Sequence, residues 1–142
     1  MHLAITIDTE EDNWGEYDLP SYTVENIARI PRLQEVFERR GVRPTYLISY
    51  PVATSPKAID ILGSIRERGL CEIGTHPHPW NTPRVGQERT PSNSFMCNLP
   101  SALQFEKRRT LTETIEQNFG CRPVVHRSGR WGYGDDVARN LV

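Results

Sequence analysis

The chain has 142 residues, which is enough for one domain with a hydrophobic core. Its 17 Lys and Arg residues nearly balance its 18 Asp and Glu residues, which argues against nucleic acid or a membrane surface as a partner attracted by bulk charge. No apolar run reaches membrane-spanning length, and the N-terminus lacks the basic and apolar regions of a signal peptide. The three cysteines have no metal-like spacing and predict free thiols, so we expect a reducing, cytoplasmic location.

The first part of the chain alternates between a strand-like and a helix-like pattern. Residues 3–8, "LAITID", form an apolar, β-branched run that predicts a buried strand, and a polar, turn-rich segment follows it. Residues 23–41 carry apolar side chains at helical spacing and end in Gly41, a typical helix stop. Pro31 lies inside this pattern and predicts that the helix starts late or kinks there.

Two more strands and a second helix are predicted before a long loop. Residues 44–50 and residues 71–75, "CEIGT", have the composition of strands. Between them, residues 55–69 begin with Ser-Pro and end with glycine, which indicates a helix with a serine N-cap. The loop over residues 77–100 is long for a small domain, and loops of that length are usually functional or disordered.

The last part of the chain continues the alternation. Residues 101–120 predict a helix that opens with a capping box formed by Ser101 and Gln104. Residues 123–127, "PVVHR", predict a fourth strand, and residues 135–142 predict a further helix. The order βαβαβαβα predicts an α/β fold with a parallel sheet, either open or closed into a barrel.

Reactive side chains collect just after the predicted strands. Acidic residues follow the first strand, two histidines follow the third, and arginine and tryptophan follow the fourth. The carboxyl ends of parallel strands meet at one edge, where α/β proteins bind ligands and carry out catalysis. The residues predicted at this edge are Asp8, Glu10, Glu11, Asp12, His76, His78, Trp80, Arg127, Arg130 and Trp131.

The segment "EIGTHPHPW" predicts a metal site. Side chains at i and i+2 of an extended segment point to the same side, so His76 and His78 can reach one ion. Imidazole nitrogens with a carboxylate oxygen are typical of a catalytic zinc that keeps one position open for water. Taken alone, however, the H-x-H pattern is a weak signal. The acidic run also fits a solvated turn, and Arg127 also fits a structural ion pair.

The tryptophans Trp14, Trp80 and Trp131 all fall in predicted strand-end loops. Aromatic surfaces beside polar groups suit sugar rings, although they also suit protein partners, and ordinary core or rim positions are the alternative. These positions make a carbohydrate one of the ligands that the sequence favours.

Three motifs resemble those of a known enzyme family. "TIDTEED", "EIGTHPHPW" and "HRSGRWGYG", in this order and on these strands, are similar to motifs of the polysaccharide deacetylase family, the NodB-homology domain of carbohydrate esterase family four. The pair "HPHPW" and "GRWG" is most similar to the branch associated with bacterial exopolysaccharide and cell-wall polysaccharide synthesis. The resemblance implies a distorted (β/α) barrel and removal of acetyl groups from N-acetylated sugars with one divalent metal, expected to be Zn²⁺.

The first motif of this resemblance implies two roles. Asp8 matches the aspartate that acts as general base. Glu10 best matches the acidic metal ligand, because Thr9 occupies the position where the commonest form of the motif has a second aspartate. Glu11 and Asp12 remain alternatives for that ligand.

The second and third motifs imply the remaining roles. His76 matches the first metal-binding histidine, and His78 is the substitute for a second histidine that the family usually places at the position of Trp80. Arg127 matches the arginine that orients and tunes the base, and Trp131 lies where the motif usually supplies a groove wall. The predicted substrate-binding residues are Trp80, Arg130 and Trp131.

The resemblance treats residues 1–142 as a single, incomplete catalytic domain, because the family's late general-acid histidine has no counterpart before Val142. It implies a metal-dependent deacetylase acting on the N-acetyl group of a polysaccharide or acetylated amino sugar. One alternative is an amidohydrolase of a small non-peptide C–N substrate on the same fold. The other is a non-catalytic carbohydrate-binding remnant.

Overall fold

The computed structural model describes residues 3–141, which form a parallel three-stranded sheet packed against helices. The predicted α/β class with parallel strands is confirmed. In sheet order, the strands are β1 (Thr6–Thr9), β2 (Thr45–Ile48) and β3 (Glu72–Thr75). The α-helices are α1 (Ile30–Glu38), α2 (Tyr50–Thr54), α3 (Pro56–Glu67), α4 (Ser101–Phe119) and α5 (Asp135–Arg139), and short 3₁₀ helices cover Glu25–Arg29, Ser92–Ser94, Met96–Asn98 and Gly129–Trp131.

The strand register aligns the carboxyl ends of the sheet. Thr9 of β1 lies opposite Ile48 of β2, and Ile48 lies opposite Thr75 of β3. The three strands therefore end level with one another, and the chain leaves each of them at the same edge. The residues that follow directly are Glu10, Ser49 and His76.

The hydrophobic core lies around the central strand. All four residues of β2 are buried, because β2 is paired on both sides and covered by apolar side chains. Helices α2, α3 and α4 supply much of the remaining core, so the strand ends that carry the reactive residues are fixed by packing on several sides. The core includes Ile27, Tyr46, Ile48, Val52, Leu62, Ile65, Ile73, Leu111, Ile115 and Phe119.

The first helical region starts in two steps. Residues Glu25–Arg29 form a 3₁₀ helix, and α1 follows with Pro31 in its first turn. Proline is tolerated there because the first backbone N–H groups of an α-helix have no partner within the helix. The predicted late start of the α-helix at Pro31 is confirmed.

The predicted ends of α3 are also confirmed. The Ser55 hydroxyl accepts a hydrogen bond from the backbone N–H of Ala58 at 3.4 Å, so it acts as the N-cap. Gly69 follows the helix with a φ of +73°, a conformation that glycine adopts without steric cost. A short helix that the sequence did not indicate, α2, begins with Tyr50 and Pro51, directly after β2.

The predicted capping box of α4 is wrong. Ser101 is the first helical residue, the N-cap is Pro100, and no side chain caps this end. Gln104 is buried, and its Nε2 donates instead to the backbone oxygen of Leu99 at 2.8 Å. The glutamine therefore ties the preceding loop to the helix.

The predicted fourth strand, residues 123–127, does not form. Its strand-type pairing with β3 consists of an isolated parallel bridge between Thr75 and His126. The bridge lies at Thr75, the last residue of β3, and Val124, just before the bridge, is 85% exposed, so the pairing does not extend further. The bridge nevertheless places Arg127 beside the end of β3, where its N–H donates to the Thr75 oxygen at 3.0 Å.

Two other expectations concern cysteines and membranes. Cys71, Cys97 and Cys121 are free thiols, and the reducing location inferred from them stays a prediction. Among residues 3–141, no helix combines the length and the apolar composition needed to cross a bilayer.

Candidate metal centre

Glu10, His76 and His78 come together at the carboxyl edge of the sheet. Each offers one potential ligand atom, and the three atoms lie within 4.8 Å of one another. Glu10 Oε1 is 3.4 Å from His76 Nε2, and Glu10 Oε2 is 2.6 Å from His78 Nε2. Both imidazoles are buried, while the Glu10 side chain keeps 13% of its surface exposed. Three ligand atoms therefore converge at a point that solvent can reach.

The orientation of His76 is set by the segment of residues 123–127, which ends at Arg127. Its Nδ1 lies 2.9 Å from the backbone oxygen of Arg127, and a carbonyl oxygen can only accept, so Nδ1 carries the proton. Nε2 is the ring nitrogen that faces Glu10, and it is the atom through which a neutral His76 would bind a metal. A hydrogen bond of this kind is the usual device that fixes the tautomer of a metal-binding histidine.

The ring of His78 is held by its Nε2 hydrogen bond with Glu10 and by packing. It meets the His76 ring edge-on with centroids 4.8 Å apart, and it lies 4.2 Å from the Trp80 ring. Gly129 covers the other ring nitrogen, and within residues 3–141 that buried Nδ1 has no hydrogen-bond partner. The position of this ring therefore depends on Glu10 and on the residues packed around it.

Glu10 is the acidic residue of the cluster. Burial raises the pKa of this carboxyl, but hydrogen bonds and charge from His76 and His78 outweigh burial and lower the pKa to about 2. Glu10 is therefore ionised at neutral pH and offers a carboxylate ligand.

The two alternative acidic ligands have other partners. Glu11 is fully buried and accepts hydrogen bonds from Ser49, Trp80 and Asn81. Asp12 accepts from the Thr23 hydroxyl and from the backbone N–H groups of Glu25 and Asn26, so it caps the first 3₁₀ helix. Among the three consecutive acids, only Glu10 belongs to the histidine cluster that the structure describes.

Asp8 and Arg127 form an ion pair next to the cluster. Arg127 Nη1 donates to Asp8 Oδ1 at 2.5 Å, and Nη2 donates to the Thr6 hydroxyl at 2.6 Å. Asp8 Oδ1 lies 4.0 Å from His76 Nδ1. Asp8, the predicted base, and Arg127, its predicted partner, thus lie together beside the predicted ligand His76. Thr6 is a partner of Arg127 that the sequence did not suggest.

The three predicted substrate-binding residues differ in exposure. Trp131 is 73% exposed, and its ring lies 4.5 Å from the Arg127 guanidinium. Arg130 is exposed and stacks over Phe95 at 5.0 Å. Trp80, in contrast, is only 3% exposed, because its ring packs behind His78. Its position is therefore that of a supporting residue and not the open groove position that the sequence suggested.

The donor set fits a divalent metal. Two imidazole nitrogens and one carboxylate oxygen are a known set for catalytic zinc, which keeps a further position for water or substrate. One histidine already has its orienting hydrogen bond, and the carboxylate is ionised at neutral pH. The cluster is therefore a candidate metal site.

Several residues that shape this site were not found from the sequence. Gly129 contacts the His78 ring, and Lys107 of α4 donates to two carbonyl oxygens of the loop over residues 76–82, here called the histidine loop. The spacing along α4 indicates that Lys107 is buried, because it lies four residues before Leu111 and eight before Ile115, on the same face of the helix. No local pattern marked Gly129, since its role depends on a contact with a distant segment.

His126, the neighbour of Arg127, should make the fold sensitive to acid. Burial, with Arg108 and His76 nearby, lowers the pKa of His126 to about 4. The unfolded chain, with a pKa near 6.5, then binds this proton first, so stability is lost as the pH falls from about 6.5 to 4. We expect His126 to account for a loss on the order of 3 kcal/mol in unfolding free energy.

Urea unfolding of the parent chain and of His126→Gln at pH 7 and pH 4.5 measures this loss. The variant should lose less stability on acidification, while losses from Asp and Glu residues are common to both chains. An identical pH dependence in the two chains would show that His126 is not protonated differently in the folded state.

Comparison with solved structures identifies the fold. The peptidoglycan deacetylase PdaC from Bacillus subtilis, in two structures of which one is a mutant, matches with a TM-score of 0.63 and 16% identity. Each match covers 97% of this chain and 54% of PdaC. The Xyl-CE4 domain of a multidomain xylanase from the hindgut metagenome of Trinervitermes trinervoides matches with a TM-score of 0.62 and 17% identity, over 96% of this chain and 52% of that one.

These likenesses confirm the NodB-like fold that the motif resemblance implied. The chain spans about half the length of the solved structures that it matches, and the single, incomplete catalytic domain expected from the motifs stays a prediction. No protein-family model matches the chain, and no curated protein matches it. The likeness at this level of identity concerns the fold, and the activity has to be argued from the site.

Proposed function

We propose that this chain forms part of a metal-dependent deacetylase that hydrolyses the N-acetyl amide of a polysaccharide or acetylated amino sugar. The observation that carries the proposal is the convergence of the cluster Glu10, His76 and His78 with the ion pair of Asp8 and Arg127 at one edge of the sheet. The fold shared with a peptidoglycan deacetylase and with a CE4 domain supports it.

Glu10, His76 and His78 are the proposed ligands, and Zn²⁺ is the proposed metal because nitrogen and carboxylate ligands suit it. When bound, this metal supplies Lewis-acid activation of water and polarisation of the amide carbonyl. A histidine binds metal through a nitrogen that carries no proton, and the hydrogen bond from His76 Nδ1 to the Arg127 oxygen leaves Nε2 as the atom with which that ring would bind.

Asp8 is the proposed general base. Its Oδ1 is held by Arg127, while Oδ2 has no hydrogen-bond donor within residues 3–141 and is free to take the proton of an attacking water. The carboxylate side chain is 29% exposed, so water can reach it. Arg127 is in turn held by the Thr6 hydroxyl, and it keeps the carboxylate oriented during proton transfer.

Trp131 and Arg130 are the proposed sugar contacts. The exposed indole of Trp131 extends beyond the Asp8–Arg127 pair, where a sugar ring could stack against it. Both residues have positive φ angles of 55°, a sparsely populated conformation for residues other than glycine. Such conformations persist where surrounding structure imposes them, often at binding sites.

A deacetylation assay on Asp8→Asn tests the proposal. The zinc-loaded chain should release acetate from an N-acetylated chito-oligosaccharide, and removal of the metal with a chelator should stop the release. Asp8→Asn should lower kcat by about 10²–10⁴-fold, the usual contribution of a general base, while zinc binding is retained.

Asp18→Asn is the matched control, because Asp18 lies in the same loop region and its side chain is 83% exposed. This control should keep full activity. No acetate release, or release that neither chelation nor Asp8→Asn reduces, would contradict the proposal. Turnover of small linear or cyclic amides in place of the glycan would favour an amidohydrolase.

A further inference from the structure

The loop that carries His78 is buried although it has no regular secondary structure. Every residue from His76 to Thr82 is buried. A buried irregular segment needs partners for its backbone groups, because an unpaired buried carbonyl costs about as much as a lost hydrogen bond. Two fully buried charged side chains bind this loop: Lys107 binds two of its backbone oxygens, and Glu11 binds two of its side chains.

Lys107 reaches this loop from the buried face of α4. Its ammonium donates to the backbone oxygen of Pro79 at 2.7 Å and to that of Thr82 at 2.8 Å. The Thr82 N–H donates in turn to the His78 oxygen at 3.1 Å, which closes a turn around the histidine. One side chain thus fixes the backbone on the carboxyl side of His78.

Glu11 reaches the same loop from the end of β1. Its Oε1 accepts from Asn81 Nδ2 at 2.7 Å and from the Trp80 indole N–H at 3.4 Å, while Oε2 accepts from the Ser49 hydroxyl at 2.9 Å. The Trp80 ring lies 4.2 Å from the His78 ring. The carboxylate therefore holds the indole against which His78 packs.

Burial without an opposite charge makes these two residues unusual. Within residues 3–141, neither Glu11 nor Lys107 has an ion-pair partner within 4.0 Å. Burying a charge without a counter-charge is costly, and a neutral side chain of similar volume is often at least as stable. The two charged side chains, however, make strong and directed hydrogen bonds to one loop.

We propose that Glu11 and Lys107 are positioning residues that set the geometry of His78 and thereby the metal affinity of the site. This inference rests on the proposed metal centre. Neither side chain bonds to the side chains of the cluster: that of Glu11, the chain neighbour of Glu10, acts through Trp80 and Asn81, and that of Lys107 acts through Pro79 and Thr82. Partners outside the ligand set commonly change metal affinity by about 10–100-fold.

Zinc affinity of Glu11→Ala, Glu11→Gln and Lys107→Met tests this proposal, with competition against a chromophoric chelator as the readout. Glu11→Ala and Lys107→Met should weaken zinc binding by about 10–100-fold. Glu11→Gln should restore most of the affinity, because its amide oxygen can accept from Trp80 and Asn81 while its NH₂ donates to the Ser49 hydroxyl.

Two matched controls separate positioning from general stability. Gln104→Leu removes a buried polar side chain of the same helix that binds Leu99 and not the histidine loop. Asp12→Asn changes the acid next to Glu11, which caps a 3₁₀ helix. Both controls should lower stability in urea and leave zinc affinity unchanged. Equal zinc affinities in the Glu11→Ala, Lys107→Met and control chains would overturn the proposal.

A second readout is independent of metal. Long-range ¹H–¹⁵N spectra of the metal-free chain report on the histidine rings, and Glu11→Ala should shift the His78 signals while those of His126 stay in place. If the parent chain bound no zinc, the metal centre itself would be rejected. The ring spectra would then test on their own whether Glu11 positions His78. Unchanged His78 signals in Glu11→Ala would overturn that role as well.

Discussion

His76→Ala is expected to abolish retention of a divalent metal by the chain. The substitution removes one of three converging ligand atoms, and it also removes the ring that the Arg127 carbonyl orients. The loss of affinity should exceed the ~10–100-fold effect typical of outer-shell partners, because a direct ligand is lost. Metal content after dialysis, measured by elemental analysis, should fall from about one equivalent to background.

Two further variants keep this experiment decisive. His76→Gln retains more of the side-chain volume and should also lose the metal, so a folding defect of the alanine variant would not explain the result. His126→Gln changes a histidine outside the cluster, which bonds the Thr75 and Ser128 hydroxyls, and should retain the metal. Undiminished zinc in both His76 variants would reject the metal centre.

Gly129→Ala is expected to displace His78 and weaken metal binding. An ideal Cβ on Gly129 would lie 2.8 Å from Cγ of the His78 ring and closer still to Nδ1 and Cε1. The ring is buried between Gly129, His76 and Trp80, so it cannot give way without moving its neighbours. Overpacking of this kind usually costs about 1–3 kcal/mol, and here the strain falls on a proposed ligand.

Gly63→Ala is the matched control for this substitution. Gly63 lies inside α3, and a Cβ there would meet no heavy atom within 4 Å. Alanine should therefore stabilise that helix by up to about 1 kcal/mol and leave zinc affinity unchanged. Urea unfolding and zinc titration of both variants give the two quantities. Parental zinc affinity in Gly129→Ala would mean that the His78 ring tolerates displacement.

The elements that depend on local pattern were predictable from the sequence. The segment "CEIGT" gave a correctly placed strand, and the Ser-Pro start of α3 gave its N-cap. The run predicted as a buried strand over residues 3–8 forms a strand only at Thr6–Thr9, which is partly exposed because it lies at the edge of the sheet. Parallel pairing then places the residues after β1 and β3 at one edge. For that reason, Glu10 and His76 could be expected to meet although they are far apart in the chain.

The predictions that failed are those in which distant contacts outweigh local preference. Ser101 and Gln104 match a capping box, yet packing of the preceding loop makes Pro100 the cap and draws Gln104 to Leu99. Residues 123–127 have strand propensity, but a strand needs a partner along its length, and β3 ends where this segment meets it. Local pattern alone does not contain that information.

By itself, the sequence determined the α/β class, the positions of the strand ends and the residue types that gather there, because these follow from periodicity and from the parallel-sheet rule. The tertiary structure decided which of three adjacent acids joins the histidines. Successive side chains in "EED" leave the backbone in different directions, so Glu10 reaches His78, Glu11 enters the core, and Asp12 caps a 3₁₀ helix. Such choices depend on what each direction meets in space, and only the folded chain specifies those neighbours.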